Sequence, residues 1–174
     1  MVLPPVCIAA LIAALFVAAW LFQPERQPAP VTERVSEWRL DGETVSLPRT
    51  VRPLPPRTPL TLTAEVRPEK GDYLYFKMVY APLRVYANGV LIFEYGQPGS
   101  YPDFLLDPPT KTALIPLPDT AGPVTLRMEY LSPAQRNSIA LHPVLLGTSE
   151  AILMELIGQM GFSLFFSFAL LALG

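Results

Sequence analysis

The chain has 174 residues, of which 51% are hydrophobic, and its formal net charge at pH 7 is −2. All 13 Lys and Arg lie between Arg26 and Arg136, and every acidic residue except Glu150 and Glu155 lies between Glu25 and Glu129, so the middle of the chain is neutral. A neutral domain lacks the basic surface that binds nucleic acid, which excludes that class of partner and leaves neutral small molecules such as sugars.

The N-terminal stretch, residues 1–23, is predicted to be a membrane anchor or a signal segment. Residues 6–22 carry no charge and are near the lower length limit for a spanning helix, but they also suit a signal peptide cleaved after Ala19. Basic residues follow this stretch at Arg26 and Arg34 and none precedes it, so the positive-inside rule alone places the next domain in the cytoplasm. We still expect that domain outside, because long folded domains translocate largely regardless of their charge.

A proline-bearing linker is predicted at 24–32, and a β-domain at 33–147. The chain contains 21 prolines, and proline removes a backbone donor and breaks helical turns, so long helices are not expected in this middle part. Prolines are dense in residues 48–59, which predicts an extended surface crossing. Short apolar runs bounded by turn residues predict strands at residues 35–40, 60–66, 73–79, 83–87, 90–95, 112–117, 124–131 and 139–146.

Two local patterns identify the class of fold. Residues 124–131 alternate between apolar and polar side chains, with Thr125, Arg127 and Glu129 on the polar side, as in a half-buried antiparallel strand. Asn88-Gly89 between two apolar runs predicts a tight type I′ hairpin. The fold predicted is all-β: an antiparallel jelly-roll-like β-sandwich between an N-terminal membrane or signal helix and a C-terminal transmembrane helix. Aromatic residues expected in its core are Trp38, Tyr73, Tyr75, Phe76 and Tyr80.

Residues 148–174 are predicted to begin a transmembrane helical region, because residues 156–173 are uncharged and mostly apolar. Thr148 and Ser149 are candidate N-caps, and only Gly147 separates them from the last predicted strand. A junction this short transmits a rigid-body movement better than a flexible linker does.

Gly158 and Gly161 give this second apolar segment a small-residue face, with the amide of Gln159 beside it. Small residues allow close helix contact in lipid, which suits either a homodimer through transmembrane helices or the first helix of a larger bundle. The alternative is a simple tether. The sequence stops inside this segment, so we expect the chain to be a fragment of a longer protein.

Catalysis is not expected of this chain. His142 is the only histidine, and no nucleophile or orienting acid can be paired with it from the sequence. Asp103 and Asp107 are close in sequence, but turn capping and loop solvation explain them better than acid–base work. With one cysteine and one histidine there is no Cys/His metal cluster, and no phosphate-binding glycine loop occurs. We expect no metal and no cofactor.

Ligand binding is the better-supported role, in two loops. Residues 95–109 form a long polar and aromatic connection, where Tyr101 offers a stacking surface and Gln97 and Asp103 offer hydrogen bonds to hydroxyl groups. Residues 132–138 offer two further polar side chains. The candidate ligand-binding residues are therefore Gln97, Tyr101, Asp103, Arg136 and Asn137. The alternative is that both loops only cover one end of the sandwich.

The run at residues 83–96, LRVYANGVLIFEYG, resembles the central hairpin of galactose-binding-like jelly rolls. From residue 38 to the end, with the N-terminal anchor, the layout is similar to the bacterial seven-transmembrane receptors with diverse intracellular signalling modules. The resemblance implies an extracytoplasmic β-domain at the bacterial cytoplasmic membrane, then a helical bundle and a cytoplasmic output such as a diguanylate cyclase or histidine kinase.

The sequence is therefore interpreted as the extracytoplasmic sensor portion of a bacterial membrane signalling receptor. It would bind a small molecule or carbohydrate and relay binding through the helix after Gly147 to an output domain that the chain lacks. The expected partners are the lipid bilayer and that ligand. The alternative is a membrane-tethered carbohydrate-binding or assembly module without signalling.

Overall fold

A computed structural model of the chain describes residues 32–158. The predicted anchor or signal at 1–23, nearly all of the linker, and all but the first three residues of the apolar run at 156–173 lie outside that range. Within it, no helix combines the length and apolar character needed to cross a membrane. The described residues up to Leu153 belong to one compact unit, and residues 154–158, which are helical, belong to another.

Within Pro30–Leu153 the described residues form antiparallel sheets. In chain order the strands are β1 (Glu33–Arg34), β2 (Trp38–Leu40), β3 (Glu43–Val45), β4 (Arg49–Val51), β5 (Pro59–Val66), β6 (Tyr73–Met78), β7 (Leu83–Ala87), β8 (Val90–Tyr95), β9 (Lys111–Pro116), β10 (Val124–Leu131), β11 (Ile139–Leu141) and β12 (Leu145–Gly147). A six-stranded sheet has the order β3-β2-β5-β10-β7-β8, a four-stranded sheet the order β1-β12-β6-β9, and β11 pairs with β4.

The two larger sheets form a sandwich, because successive strands cross from one to the other. β5, β7 and β10 belong to the six-stranded sheet, whereas β6 and β9 belong to the four-stranded sheet. The long strands alternate between buried and more exposed residues, as in the pattern of β10, and their buried faces meet in one apolar core. Phe76 of β6 and Phe93 of β8 make an edge-to-face contact across this core, with 5.3 Å between ring centroids. The antiparallel β-sandwich predicted from the sequence is confirmed.

The two local sequence patterns are also confirmed. Asn88 and Gly89 have φ angles of 50° and 82°, as a type I′ turn requires, and Ala87 pairs with Val90 across it. The Asn88 side chain also accepts a hydrogen bond from the Thr125 backbone N–H at 2.9 Å, which ties the turn to the neighbouring strand β10.

Several strand predictions need correction. Residues 35–40 and 139–146 were each expected to form one strand. Only β2 of the first run is a strand, and the second run divides into β11, which pairs with β4, and β12, which lies in the four-stranded sheet. Pro143 interrupts the second run. Residues 48–59 are not only a surface crossing, because β4 lies within them and pairs with β11.

The aromatic residues expected in the core divide into two groups. Trp38 and Phe76 are fully buried, as predicted. Tyr73 and Tyr75 point away from the core on β6 and are half-buried, and Tyr80 lies beyond the end of that strand with 39% of its surface exposed. The prediction was wrong for Tyr73 and Tyr75 because the alternation of β6 places only its even-numbered residues in the core, and it was wrong for Tyr80 because that residue lies past the end of the strand.

The helix after β12 begins at Ser149, and the structure follows it to residue 158. Thr148 is its N-cap, since the Thr148 hydroxyl oxygen accepts a hydrogen bond from the Ala151 N–H at 3.2 Å. The junction is as short as the sequence predicts: Gly147 is the last residue of β12 and Thr148 caps the helix.

Candidate functional site

The two loops predicted to bind ligand lie at the end of the sandwich opposite the start of the helix. Gly147, just before the helix, pairs with Tyr73 at the start of β6. Lys111, which follows the long loop, pairs with Met78 at the other end of β6. Tyr73 and Met78 are five residues apart, and at a rise of about 3.4 Å per strand residue they lie about 17 Å apart.

Several contacts fasten the long loop to this end of the sandwich. The Asp107 carboxylate accepts a hydrogen bond from the Ala134 N–H at 2.7 Å, which joins the loop to residues 132–138. The Arg57 guanidinium donates to the Leu106 carbonyl and lies 3.6 Å from the Asp107 carboxylate. Where the loop begins, Gly96 is buried with a φ of 75°. The structure therefore brings the two predicted loops together.

The five predicted side chains do not converge on one point. Gln97 accepts a 3.4 Å hydrogen bond from Arg84 on the six-stranded sheet. The Arg136 guanidinium lies 4.8 Å from the centre of the Tyr80 ring.

Three of the five make no side-chain hydrogen bond to any residue in the described range. Tyr101 is half-buried, Asp103 is exposed, and Asn137 is exposed and uses its backbone carbonyl to bind the Leu54 N–H. Within residues 32–158, no hydrogen bond or ion pair joins any two of the five. Their contact with a ligand stays a prediction.

A large cleft lies elsewhere, on the outer face of the six-stranded sheet. It has a volume of about 460 Å³, and β2, β3, β5 and β10 contribute to it. The strand register explains its composition: Arg39 pairs with Thr44 on one side and with Thr63 on the other, so these polar side chains share the outer face. The lining residues are Glu37, Trp38, Arg39, Thr44, Thr63, Ala64, Glu65 and Thr125.

Three charged side chains in this cleft have no partner in the part of the chain that is described. Glu37, Arg39 and Glu65 make no hydrogen bond or ion pair there, and all three are exposed. Glu37 and Glu65 both line the cleft, so two carboxylates share it without an ion pair among the described residues. All three charged groups are available to a ligand.

Charges elsewhere on the same face are paired. Arg84 binds the Glu94 carboxylate at 2.6 Å, and this contact raises the pKa of Arg84. Arg127 lies 3.2 Å from the Glu129 carboxylate. The cleft of about 460 Å³ therefore differs from the rest of the described sheet face, because its charged side chains are not paired.

A smaller cleft of about 190 Å³ lies on the same face, at the other end of β10. Gln97 lines it, so one of the five predicted residues belongs to a cleft. Its lining residues are Pro82, Leu83, Arg84, Gln97, Glu129, Tyr130 and Leu131.

Sequence reasoning missed the larger cleft, although one signal pointed to it. The alternation of residues 124–131 identified Thr125 as facing away from the core, and Thr125 lines the cleft. The other lining residues come from β2, the residue before it, β3 and β5, and their alignment with β10 depends on strand pairing that the sequence does not specify.

The structure adds little to the case for acid–base chemistry. Burial lowers the pKa of His142, and the charge of Lys77 adds to this effect. His142 lies between β11 and β12 and lines neither cleft. No group of three or more His, Cys, Asp or Glu side chains among residues 32–158 is placed to hold a metal ion.

Solved structures with a similar fold are β-glucuronidases from Ruminococcus gnavus. The complex with D-glucuronic acid gives a TM-score of 0.50 at 10% identity and covers 73% of this chain and 31% of that chain. The complex with D-glucaro 1,5-lactone also gives 0.50 at 10% identity, covering 72% and 30%. The chain thus spans about a third of the length of these enzymes.

At such low identity the similarity shows the fold alone, a β-sandwich consistent with a galactose-binding-like jelly roll. No protein-family model matches the chain. No curated protein matches it either.

Proposed function

We propose that the sandwich is a carbohydrate-binding domain and the extracytoplasmic sensor of a bacterial membrane signalling receptor. Its site is the larger cleft on the outer face of the six-stranded sheet. Binding is relayed through the helix that follows Gly147 to a cytoplasmic output domain of the diguanylate cyclase or histidine kinase type. The role is binding rather than catalysis, and the domain faces outward at the cytoplasmic membrane.

One observation carries the proposal: three charged side chains that have no partner among the described residues share one cleft with threonine hydroxyls. The volume of about 460 Å³ lies in the range of small-molecule sites. Carboxylates accept two or more hydrogen bonds, a guanidinium donates up to five, and hydroxyls do both, which matches a ligand covered in hydroxyl groups. The fold shared with domains of carbohydrate-active enzymes supports the same class of ligand.

The chain also provides a direct connection from the cleft to the helix. Glu37 and Arg39 lie in the cleft, and β1 lies just before them in sequence. β1 pairs with β12, with Arg34 opposite Leu145, and the Val35 N–H donates to the Val144 carbonyl at 3.0 Å. A ligand that binds Glu37 and Arg39 therefore contacts a segment that is hydrogen-bonded to β12, the strand that leads into the helix.

The test is sugar binding by the full chain in detergent micelles. A panel of neutral hexoses, N-acetylhexosamines and hexuronates would be titrated by calorimetry against the wild-type chain and Arg39→Ala. We expect at least one sugar to bind and Arg39→Ala to weaken it about tenfold to a hundredfold, the loss of one or two charge-assisted hydrogen bonds.

Arg67→Ala is the matched control, since Arg67 is exposed and lies outside the lining of the cleft. It removes the same charge and should leave the affinity unchanged. If no sugar in the panel binds, or if both variants weaken binding equally, the proposed site is wrong.

A further inference from the structure

We propose that the two clefts are the two ends of one binding track along β10, and that the ligand is a linear oligosaccharide rather than a single sugar. This inference rests on the proposed function and specifies its ligand class. A monosaccharide would occupy the larger cleft alone, whereas a chain of sugar units would also reach the smaller one.

The clefts are aligned by a single strand. Thr125, near the start of β10, lines the larger cleft, and Glu129 and Leu131, at its end, line the smaller one. Thr125, Glu129 and Leu131 are separated by even numbers of residues, so they lie on the same face of the sheet. From Thr125 to Leu131 the strand advances about 20 Å, which is far longer than one sugar ring.

Arg127 lies on the same face between the two clefts. Its guanidinium is held 4.3 Å from the centre of the Tyr86 ring and 3.2 Å from the Glu129 carboxylate. The Arg127 side chain is still 43% exposed. A guanidinium fixed over an aromatic ring has lost most of its rotamer freedom and presents planar N–H donors at low entropic cost. It can therefore contact the middle of a bound chain without being ordered first.

Both ends of the track offer the chemistry that hydroxyl groups need. The larger cleft has the unpartnered Glu37, Arg39 and Glu65, and the smaller cleft has the Gln97 amide beside Arg84. Two weak sites joined by one ligand give a combined affinity well above that of either site, because the second contact becomes intramolecular.

The experiment compares affinity with chain length in the full-length chain. Calorimetry would use glucose and N-acetylglucosamine and their β-linked oligomers of two to six units. We expect affinity to rise by about a hundredfold between the single sugar and the length that reaches both clefts, the lower end of the gain from linking two sites. Longer oligomers should then add nothing.

Arg127→Ala should remove most of this gain, because Arg127 lies between the two clefts on β10. The matched control is Lys111→Ala, because Lys111 lies 5.0 Å from the centre of the Tyr95 ring and lines neither cleft. It removes a comparable cation–aromatic contact and should retain the full dependence on length. Gln97→Ala gives a second test at the far cleft if Arg127→Ala proves unstable.

The outcomes separate this inference from the proposed function. Single sugars that bind as tightly as their oligomers would overturn the track and leave the carbohydrate-binding role intact. A length dependence that survives both Arg127→Ala and Gln97→Ala would also overturn it. Binding of no sugar of any length would overturn the proposed function itself.

Discussion

Trp38→Ala is expected to lower the free energy of unfolding by about 3–5 kcal/mol, the usual cost of removing a large aromatic side chain from a core. Trp38 has 0% of its surface exposed and belongs to the main apolar cluster. Its indole N–H donates to the Val35 carbonyl at 3.0 Å, so the change also leaves that carbonyl without its donor. Chemical denaturation of the full chain, followed by circular dichroism, measures the effect.

Trp38→Phe is the control that separates the two contributions. It keeps an aromatic ring in the core but has no donor for Val35, so we expect a loss of about 1–3 kcal/mol. Trp38→Ala should also weaken sugar binding, since Trp38 is flanked by Glu37 and Arg39 in the cleft. A loss below about 1 kcal/mol for Trp38→Ala would show that this part of the core is not packed as described.

Gly96→Ala is expected to cost about 2–4 kcal/mol of stability, from two sources. The φ angle of 75° is a left-handed conformation that side chains disfavour by about 1–2 kcal/mol. The added Cβ would also lie 2.8 Å from Pro108 Cγ, which is too close for such atoms to pack, and 3.1 Å from Pro82 Cα, which is a tight contact. Since Pro108 belongs to the long loop and Pro82 precedes β7, the substitution would force the start of the loop away from the sandwich.

Gly99→Ala is the control, because it has the backbone cost of Gly96→Ala without the steric clash. Gly99 has a similar φ of 82°, but a Cβ at that position would meet nothing within 4 Å. We expect it to cost only the backbone term, about 1–2 kcal/mol. Denaturation curves of the two variants, recorded side by side, give the difference. Equal losses would mean that Gly96 is not held against Pro82 and Pro108.

Much of the sandwich could be predicted from the sequence, because its long strands show local patterns of alternating polarity or are bounded by clear turns. β7, β8 and β10 have the predicted bounds, since each alternates or follows a clear turn such as Asn88-Gly89. The short strands β3 and β4 were missed, and the chain's changes of sheet at residues 35–37 and 142–144 were not foreseen. These features are fixed by pairing with distant strands, which local patterns do not report.

The site was harder to predict for the same reason. Loop length and polarity pointed to residues 95–109 and 132–138, and the structure does join these loops through Asp107 and Ala134. The larger cleft instead combines residues from four strands, such as Arg39, Thr63 and Thr125. Each of these looks like an ordinary outward-facing strand residue, and only the register shows that they share one concave surface.

NMR gives the most direct test that sugar binding is relayed to the helix. The tightest-binding sugar of the panel would be added to the full chain in micelles, and the changes in amide chemical shift would be mapped. We predict shifts at Arg39, Thr63 and Thr125, accompanied by shifts at Leu145 and at Ala151 in the first turn of the helix. Shifts in the cleft without any change at Leu145 or Ala151 would favour a binding module without signalling. Saturating sugar that leaves the amides of Arg39, Thr63 and Thr125 unmoved would contradict the account.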